Sequence, residues 1–171
     1  MSKPPLLVGV FVLSAALTGV AVAQTVQGAA PSAPGGAAAA EPAPYAMTFG
    51  DMMNTLIQPR HAKLGLAGRA QNWPLAQYVL VEIRRAFAAI VKTQPRFGGL
   101  PVGELVDAAV TKPINAVETA IQSRDAKAFA ASYAELTAGC NACHAAADHP
   151  FVVIKAPDAS AFPDQDFGPR Q

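Results

Sequence analysis

Between residues 47 and 149 apolar side chains recur every three or four positions, which is the spacing of one buried helix face, and strand-like alternation is nearly absent. Thr48 and Asp51 read as a capping box with Asp in place of the usual Glu. Met53, Ile57, Arg60 and Leu64 follow at helical spacing through Pro59, which should kink the helix or split it and open its second half. Gly65 and Gly68 weaken the end of that helix. Asn72 is the expected N-cap of a second helix, with Pro74 in its first turn and Leu75, Val79, Ile83, Phe87 and Ile90 along one face. Residues 94–99 read as a loop. Leu105, Val106 and Val110 begin a third stretch that Pro113 interrupts, and Ile114, Val117 and Ile121 continue it. Asp125 caps a fourth helix carrying Phe129, Tyr133, Leu136, Cys140, Cys143 and Ala147 every three or four residues. The pattern predicts an all-α fold, an antiparallel four-helix bundle over residues 46–149.

The ends of the chain read differently. Residues 1–23 open with Lys3, continue through an apolar run and end Ala21-Val22-Ala23, which is the plan of a cleavable secretory signal peptide. The alternative is an uncleaved anchor, for which residues 4–23 are long enough. Residues 24–45 are rich in Ala and Pro and read as a disordered linker. Residues 150–171 hold a short apolar run, Phe151 to Ile154, and then Pro157, Pro163 and Pro169; they predict an extended tail lying across the helices. The expected destination is the periplasm.

Composition narrows the function. The 171 residues include 13 Lys and Arg against 12 Asp and Glu, a net charge of +1. That balance argues against nucleic acid, which is bound through clustered basic side chains. Two cysteines are too few for a disulfide scaffold or for a four-thiolate zinc or iron–sulfur centre.

Both cysteines fall in one pentapeptide, Cys140-Asn141-Ala142-Cys143-His144. This is the C-x-x-C-H attachment sequence of c-type haem. Two thiols three positions apart on a helical turn can each add to a haem vinyl group, and the adjacent imidazole of His144 can reach the iron as proximal ligand. Three other readings use the same residues. A dithiol redox motif belongs in a βαβ context, which the pattern lacks. A zinc site would combine the two thiols with His144 and His149 at a spacing unlike a zinc finger. A disulfide between Cys140 and Cys143 would be strained on one helical face.

On these residues the chain resembles the class II c-type cytochromes, the cytochrome c′-like family, in which C-x-x-C-H lies near the C-terminus on the last helix of a four-helix bundle. The segment Arg60-His61-Ala62-Lys63-Leu64-Gly65-Leu66-Ala67-Gly68, with Asn72-Trp73-Pro74-Leu75-Ala76 after it, is similar to a set of small exported monohaem cytochromes c. The resemblance implies one covalent haem c per chain, a distal residue from the first helix, and pairing into a homodimer. Pro59 and the long tail depart from the cytochrome c′ pattern.

The ligand opposite His144 decides what the iron does. His61 and Met53 are the candidates on the first helix, with Met52 more a core residue. On an ideal helix His61 lies about 40° from Ile57, bordering the apolar stripe. The resemblance implies a methionine near the helix start, which points to Met53; imidazole binds ferric iron more strongly than thioether, which points to His61. The reading leans to His61, with an open position as a third alternative. Arg60 is a candidate partner for a haem propionate through its planar fork. Tyr133, two turns before Cys140, is a candidate haem contact. Trp73 is expected to pack in the core at a helix start, and His149 to be solvated at a helix end.

The expectation is a periplasmic monohaem c-type cytochrome, a single-electron carrier and not an enzyme, whose partners are redox proteins. Contact with the membrane is expected only if the leader stays attached. A five-coordinate haem protein that binds or senses small gases is the alternative. A peroxidase-like enzyme would need His61 as a distal acid–base group away from the iron.

Overall fold

The computed structural model describes residues 44–169. The leader expected over 1–23 lies outside the described residues, as does the linker expected over 24–45 apart from Pro44 and Tyr45. The described chain is all-α, built from four helical rods, and among the described residues no helix is long and apolar enough to cross a membrane.

The first rod starts where the capping box predicts. Asp51 N donates to Thr48 Oγ1 at 3.2 Å and Thr48 N donates to Asp51 Oδ2 at 2.8 Å, and α1 (Phe49–Met52) follows. Pro59 does not end the rod, which runs on without interruption from Phe49 to Arg69. It has no N–H for the carbonyl four residues back, and its ring crowds that carbonyl. The chain widens instead into a π-helical stretch, Met53–Ile57, in which the Gln58 N–H reaches the Met53 carbonyl five residues back. Regular helix resumes as α2 (Gln58–Arg69) with Pro59 in its first turn. The third rod repeats the device: α4 (Val102–Val106), a π-helical stretch Asp107–Thr111, then α5 (Lys112–Ser123) with Pro113 in its first turn.

Between them α3 (Trp73–Thr93) is capped by Asn72, whose side chain accepts from Leu75 N at 3.2 Å. It buries Ala76, Val79, Leu80, Ile83, Ala86 and Ile90. The stretch expected as a plain loop after α3 contains a minimal antiparallel hairpin, β1 (Arg96–Phe97) with β2 (Leu100–Pro101). Gly98 and Gly99 make its turn at φ values of 54° and 85°, a conformation open to glycine without strain. The last rod, α6 (Ala126–Ala146), begins at Asp125, whose carboxylate accepts from Lys127 N and Ala128 N at 2.9 Å each.

Each rod packs on two others: α2 on α3 and α6, and α5 on α3 and α6. Leu64, Leu80, Ile83, Val117 and Leu136 are almost wholly buried where they meet. α2 runs through Gly65 and Gly68 to Arg69, and both glycines let it approach α6. A Cβ on Gly65 would lie 2.5 Å from the Tyr133 hydroxyl, and one on Gly68 would lie 2.0 Å from the Phe129 ring. Phe129 and Tyr133 stack at 5.7 Å between centroids along this contact. Trp73 is only half-buried, at the edge of the core with its ring edge-on to Phe129.

The tail crosses the rods, as expected. Asn141 of α6 holds Ile154, and at the far end the Asn72 side chain donates to the Gly168 carbonyl at 2.7 Å while Phe167 is buried beside it. On the way Lys63 lies over the Phe162 ring at 4.7 Å.

Gly68→Ala and Gly65→Ala each push a methyl into an aromatic ring and should lower stability by about 1–3 kcal/mol, as overpacking does. Gly50→Ala, where the new methyl would meet nothing closer than 3.8 Å, should leave stability unchanged or slightly raised. Denaturant unfolding of the three variants checks this.

Candidate functional site

The two π-helical stretches face the same cleft. Its walls bound about 810 Å³ of space, open solvent included. One wall is the first rod, with Phe49, Met53, Ile57 and His61. A wide turn rotates the chain less per residue than an α-turn does, so positions that would drift around an ideal helix return to one side. The opposite wall is the third rod, with Val102, Leu105, Val106 and Val110, and α3 and the hairpin add Phe87 and Phe97. The lining is almost entirely apolar.

α6 supplies the chemistry. Cys140, Cys143 and His144 all line the cleft, because residues spaced three and four apart share a helix face. Gly139 brings this part of α6 against the second π-helical stretch: a Cβ there would lie 2.1 Å from the Ala109 carbonyl oxygen. Pro113 sits four residues after Ala109 and has no N–H to offer that carbonyl. Both thiols are free. Burial, and secondarily the neighbouring Cys143, pushes the Cys140 thiol up to about 11, and burial also raises Cys143. The pair is therefore held as thiols near neutral pH, the reverse of the lowered values that activate dithiol oxidoreductases.

His144 is oriented from outside the helix. Its Nδ1 lies 2.8 Å from the Val152 carbonyl oxygen. A carbonyl only accepts, so Nδ1 carries the proton and the neutral ring keeps its lone pair on Nε2. Val152 and Ile154 line the cleft, Val152 at its exposed rim, while Phe151 and Val153 are more exposed still.

His61 is buried on the first-rod wall, and both ring nitrogens are engaged. Nε2 lies 2.9 Å from Thr137 Oγ1 and Nδ1 lies 3.1 Å from the Tyr133 hydroxyl. The Thr137 hydroxyl donates to the Tyr133 carbonyl at 2.9 Å, so toward His61 it accepts, and Nε2 carries the proton. Nδ1 then accepts, so the one proton of the Tyr133 hydroxyl is shared between Nδ1 and the His61 carbonyl oxygen at 2.8 Å, and the Tyr133 ring stacks on the imidazole at 4.8 Å. Burial lowers the His61 pKa to about 4 and raises that of Tyr133.

Other expected site residues are placed differently. Tyr133 is not on the cleft surface but behind His61, where a helix-face reading could not tell front from back. Arg60 lies outside the lining and bonds the Leu56 carbonyl of its own rod at 2.7 Å. His149 is half-buried, tilted against Phe97 and Phe151 at 5.4 Å each, with Nδ1 on the Ala147 carbonyl, rather than solvated. Met52 is in the core, and Met53 on the wall. Among the described residues no three His, Cys, Asp or Glu side chains gather as a metal-ligand cluster, so the zinc reading finds no assembled set. Sequence reasoning did not pick out Thr137, Asn141 or the aromatic wall as site residues; for the tail the available signal was the apolar run from Phe151 to Ile154.

The His61 pKa sets a pH dependence. The folded value, about 4, is below the ordinary 6.5, so between the two the unfolded chain binds more protons. This contribution to stability, about 3 kcal/mol, is complete above pH 6.5 and lost as the pH falls to about 4. Denaturant unfolding from pH 7 to 4 should show that loss, and His61→Leu should remove most of the slope in the window. No protein-family model, no curated protein and no solved structure matches the chain.

Proposed function

We propose that this chain is an exported monohaem c-type cytochrome of the periplasm that carries single electrons between redox partner proteins. In this reading the rods form a four-helix bundle of the cytochrome c′-like kind and α6 bears the haem. Cys140 and Cys143 hold it through two thioethers and His144 Nε2 is the proximal ligand. The observation that carries the reading is the convergence of those three residues on one apolar cleft, with His144 Nδ1 tied to a carbonyl.

The donor set fits the group. Thiols three residues apart suit the two vinyl groups of one porphyrin, and the Phe49, Phe87 and Phe97 rings and aliphatic walls suit its flat apolar faces. When bound, the haem supplies one-electron redox chemistry at its iron. The chain does the rest. Cys140 and Cys143 would fix the ring in the cleft, the Val152 carbonyl orients the imidazole and keeps Nδ1 protonated, and the aliphatic walls give it apolar surface to lie against. Met53 is the proposed sixth ligand, since its thioether lines the wall and makes no hydrogen bond among the described residues, whereas His61 is committed to Thr137 and Tyr133.

The commitment of His61 also favours a second reading. If Met53 stays off the iron, no other strong donor among the residues weighed is uncommitted on that wall, and the centre is a five-coordinate one that binds small gases.

Material exported with a haem-attachment system should carry the mass of one haem, and Cys140→Ser with Cys143→Ser should abolish it. The reduced spectrum should be low-spin and unmoved by carbon monoxide, and Met53→Ala should turn it high-spin while His61→Ala does not. A wild-type high-spin spectrum that shifts with carbon monoxide selects the gas-binding reading. A colourless product with two free thiols rejects both.

A further inference from the structure

We infer that Asn141, the residue after the first cysteine, is a positioning residue for the His144 imidazole, acting through the tail. The inference rests on the proposed function, because its consequence is read at the iron.

The Asn141 carboxamide makes two bonds to one residue of the tail. Its Nδ2 donates to the Ile154 carbonyl at 2.9 Å, and its Oδ1 accepts from Ile154 N at 2.7 Å. A side-chain amide thus pairs with a backbone residue as a neighbouring strand would, using both its donor and its acceptor. Two residues earlier in the same extended segment, the Val152 carbonyl accepts from His144 Nδ1 at 2.8 Å. Asn141 and His144 are three apart, neighbours on one face of α6. The helix therefore grips the segment at two points two residues apart, and the grip at Ile154 fixes where the acceptor for His144 stands.

The path from α6 to this segment explains why a second grip matters. After His149 N donates to the His144 carbonyl at 2.8 Å, Val152 N donates to the His149 carbonyl at 3.0 Å, and Pro150 lies between with no donor. These bonds turn the chain back toward the cleft but leave the Val152 carbonyl direction to be set from its far side. Beyond Val152, at Ile154, Asn141 is the only side chain of α6 hydrogen-bonded to the segment among the described residues. Because side chains alternate along the segment, the same grip also directs Val152 and Ile154 into the cleft beside His144.

The physical consequence concerns the electron density of the imidazole. A carbonyl held against Nδ1–H makes the ring a stronger donor through Nε2 and fixes its rotation, and a stronger axial donor favours the oxidised iron. With the grip released, Nδ1–H turns to mobile water, the ring donates less, and the reduced state gains.

The test uses the full-length haem-loaded protein. Asn141→Ala should keep one covalent haem, since it leaves both thiols and His144 in place. Its reduction potential should move positive, and the His144 Nδ1 proton, followed by NMR in the reduced protein, should exchange with solvent at least tenfold faster. Asn141→Asp, which keeps the acceptor for Ile154 N but loses the donor, should fall between wild type and Asn141→Ala; it serves alone if the alanine variant does not load. Ser160→Ala, further along the tail, should match wild type. A loaded Asn141→Ala protein, or failing that a loaded Asn141→Asp protein, with wild-type potential and proton exchange overturns this inference and leaves the function standing. A colourless wild type overturns both together.

Discussion

A helix that passes a proline without ending has one carbonyl whose donor is missing. Two of the rods that line the cleft carry this problem, at Pro59 and at Pro113, and both answer it by widening one turn before the proline. The remaining geometry of the site follows from those two turns. The first sets Met53, Ile57 and His61 on one wall. The second carries the Ala109 carbonyl hard against α6, where only the absence of a side chain at Gly139 admits it, one residue before Cys140. Neither proline is on the cleft surface, yet together they shape the walls around the cysteine-bearing face.

The fold then separates two kinds of contact along α6. Its first half is pressed on α2 through Phe129 and Tyr133 over Gly68 and Gly65, an aromatic-on-glycine contact that draws the two backbones close. Its second half opens onto the cleft and shows Cys140, Cys143 and His144. The His61–Tyr133–Thr137 network sits at the junction. Its polar atoms are paired with one another and with backbone carbonyls, so a buried imidazole is carried without a charged partner. The raised thiols and the lowered imidazole have one cause, an apolar interior that penalises every charged form.

The three caps at Thr48, Asn72 and Asp125 and the apolar periodicity were legible in the sequence because each rests on contacts within a turn or two of chain. The shared cleft face of Cys140, Cys143 and His144 was legible for the same reason, since it follows from their local spacing. What escaped the sequence depends on contacts distant along the chain. Pro59 and Pro113 read as breaks, because propensity alone does not reveal that tertiary packing holds a widened turn. Gly65 and Gly68 read as weak points until the rings above them are known. Tyr133 and Arg60 lay on the expected face, but whether a residue is on the wall, behind it or turned away depends on rotation set by neighbouring rods. Asn141 had no signal, since its partner lies 13 residues on in a segment without regular structure.

The choice between His61 and Met53 turns on what each gives up. Binding through Nε2 would take His61 from Thr137, whose hydroxyl keeps the Tyr133 carbonyl, so the loss is that of one hydrogen bond, about 0.5–1.5 kcal/mol. Imidazole is the stronger ligand for ferric iron, so that loss need not decide alone; geometry adds to it. The ring is also stacked on Tyr133 and enclosed by Thr137, so turning it into the cleft disturbs the same contact that seats α6 on α2. Met53 has none of these ties, and its unbranched thioether adapts to an irregular wall with little strain. The packing around α6 thus holds the His61 ring in place and leaves the Met53 thioether unpaired on the wall, and under the proposed function this is what favours a methionine over a histidine from the first rod as the ligand facing His144.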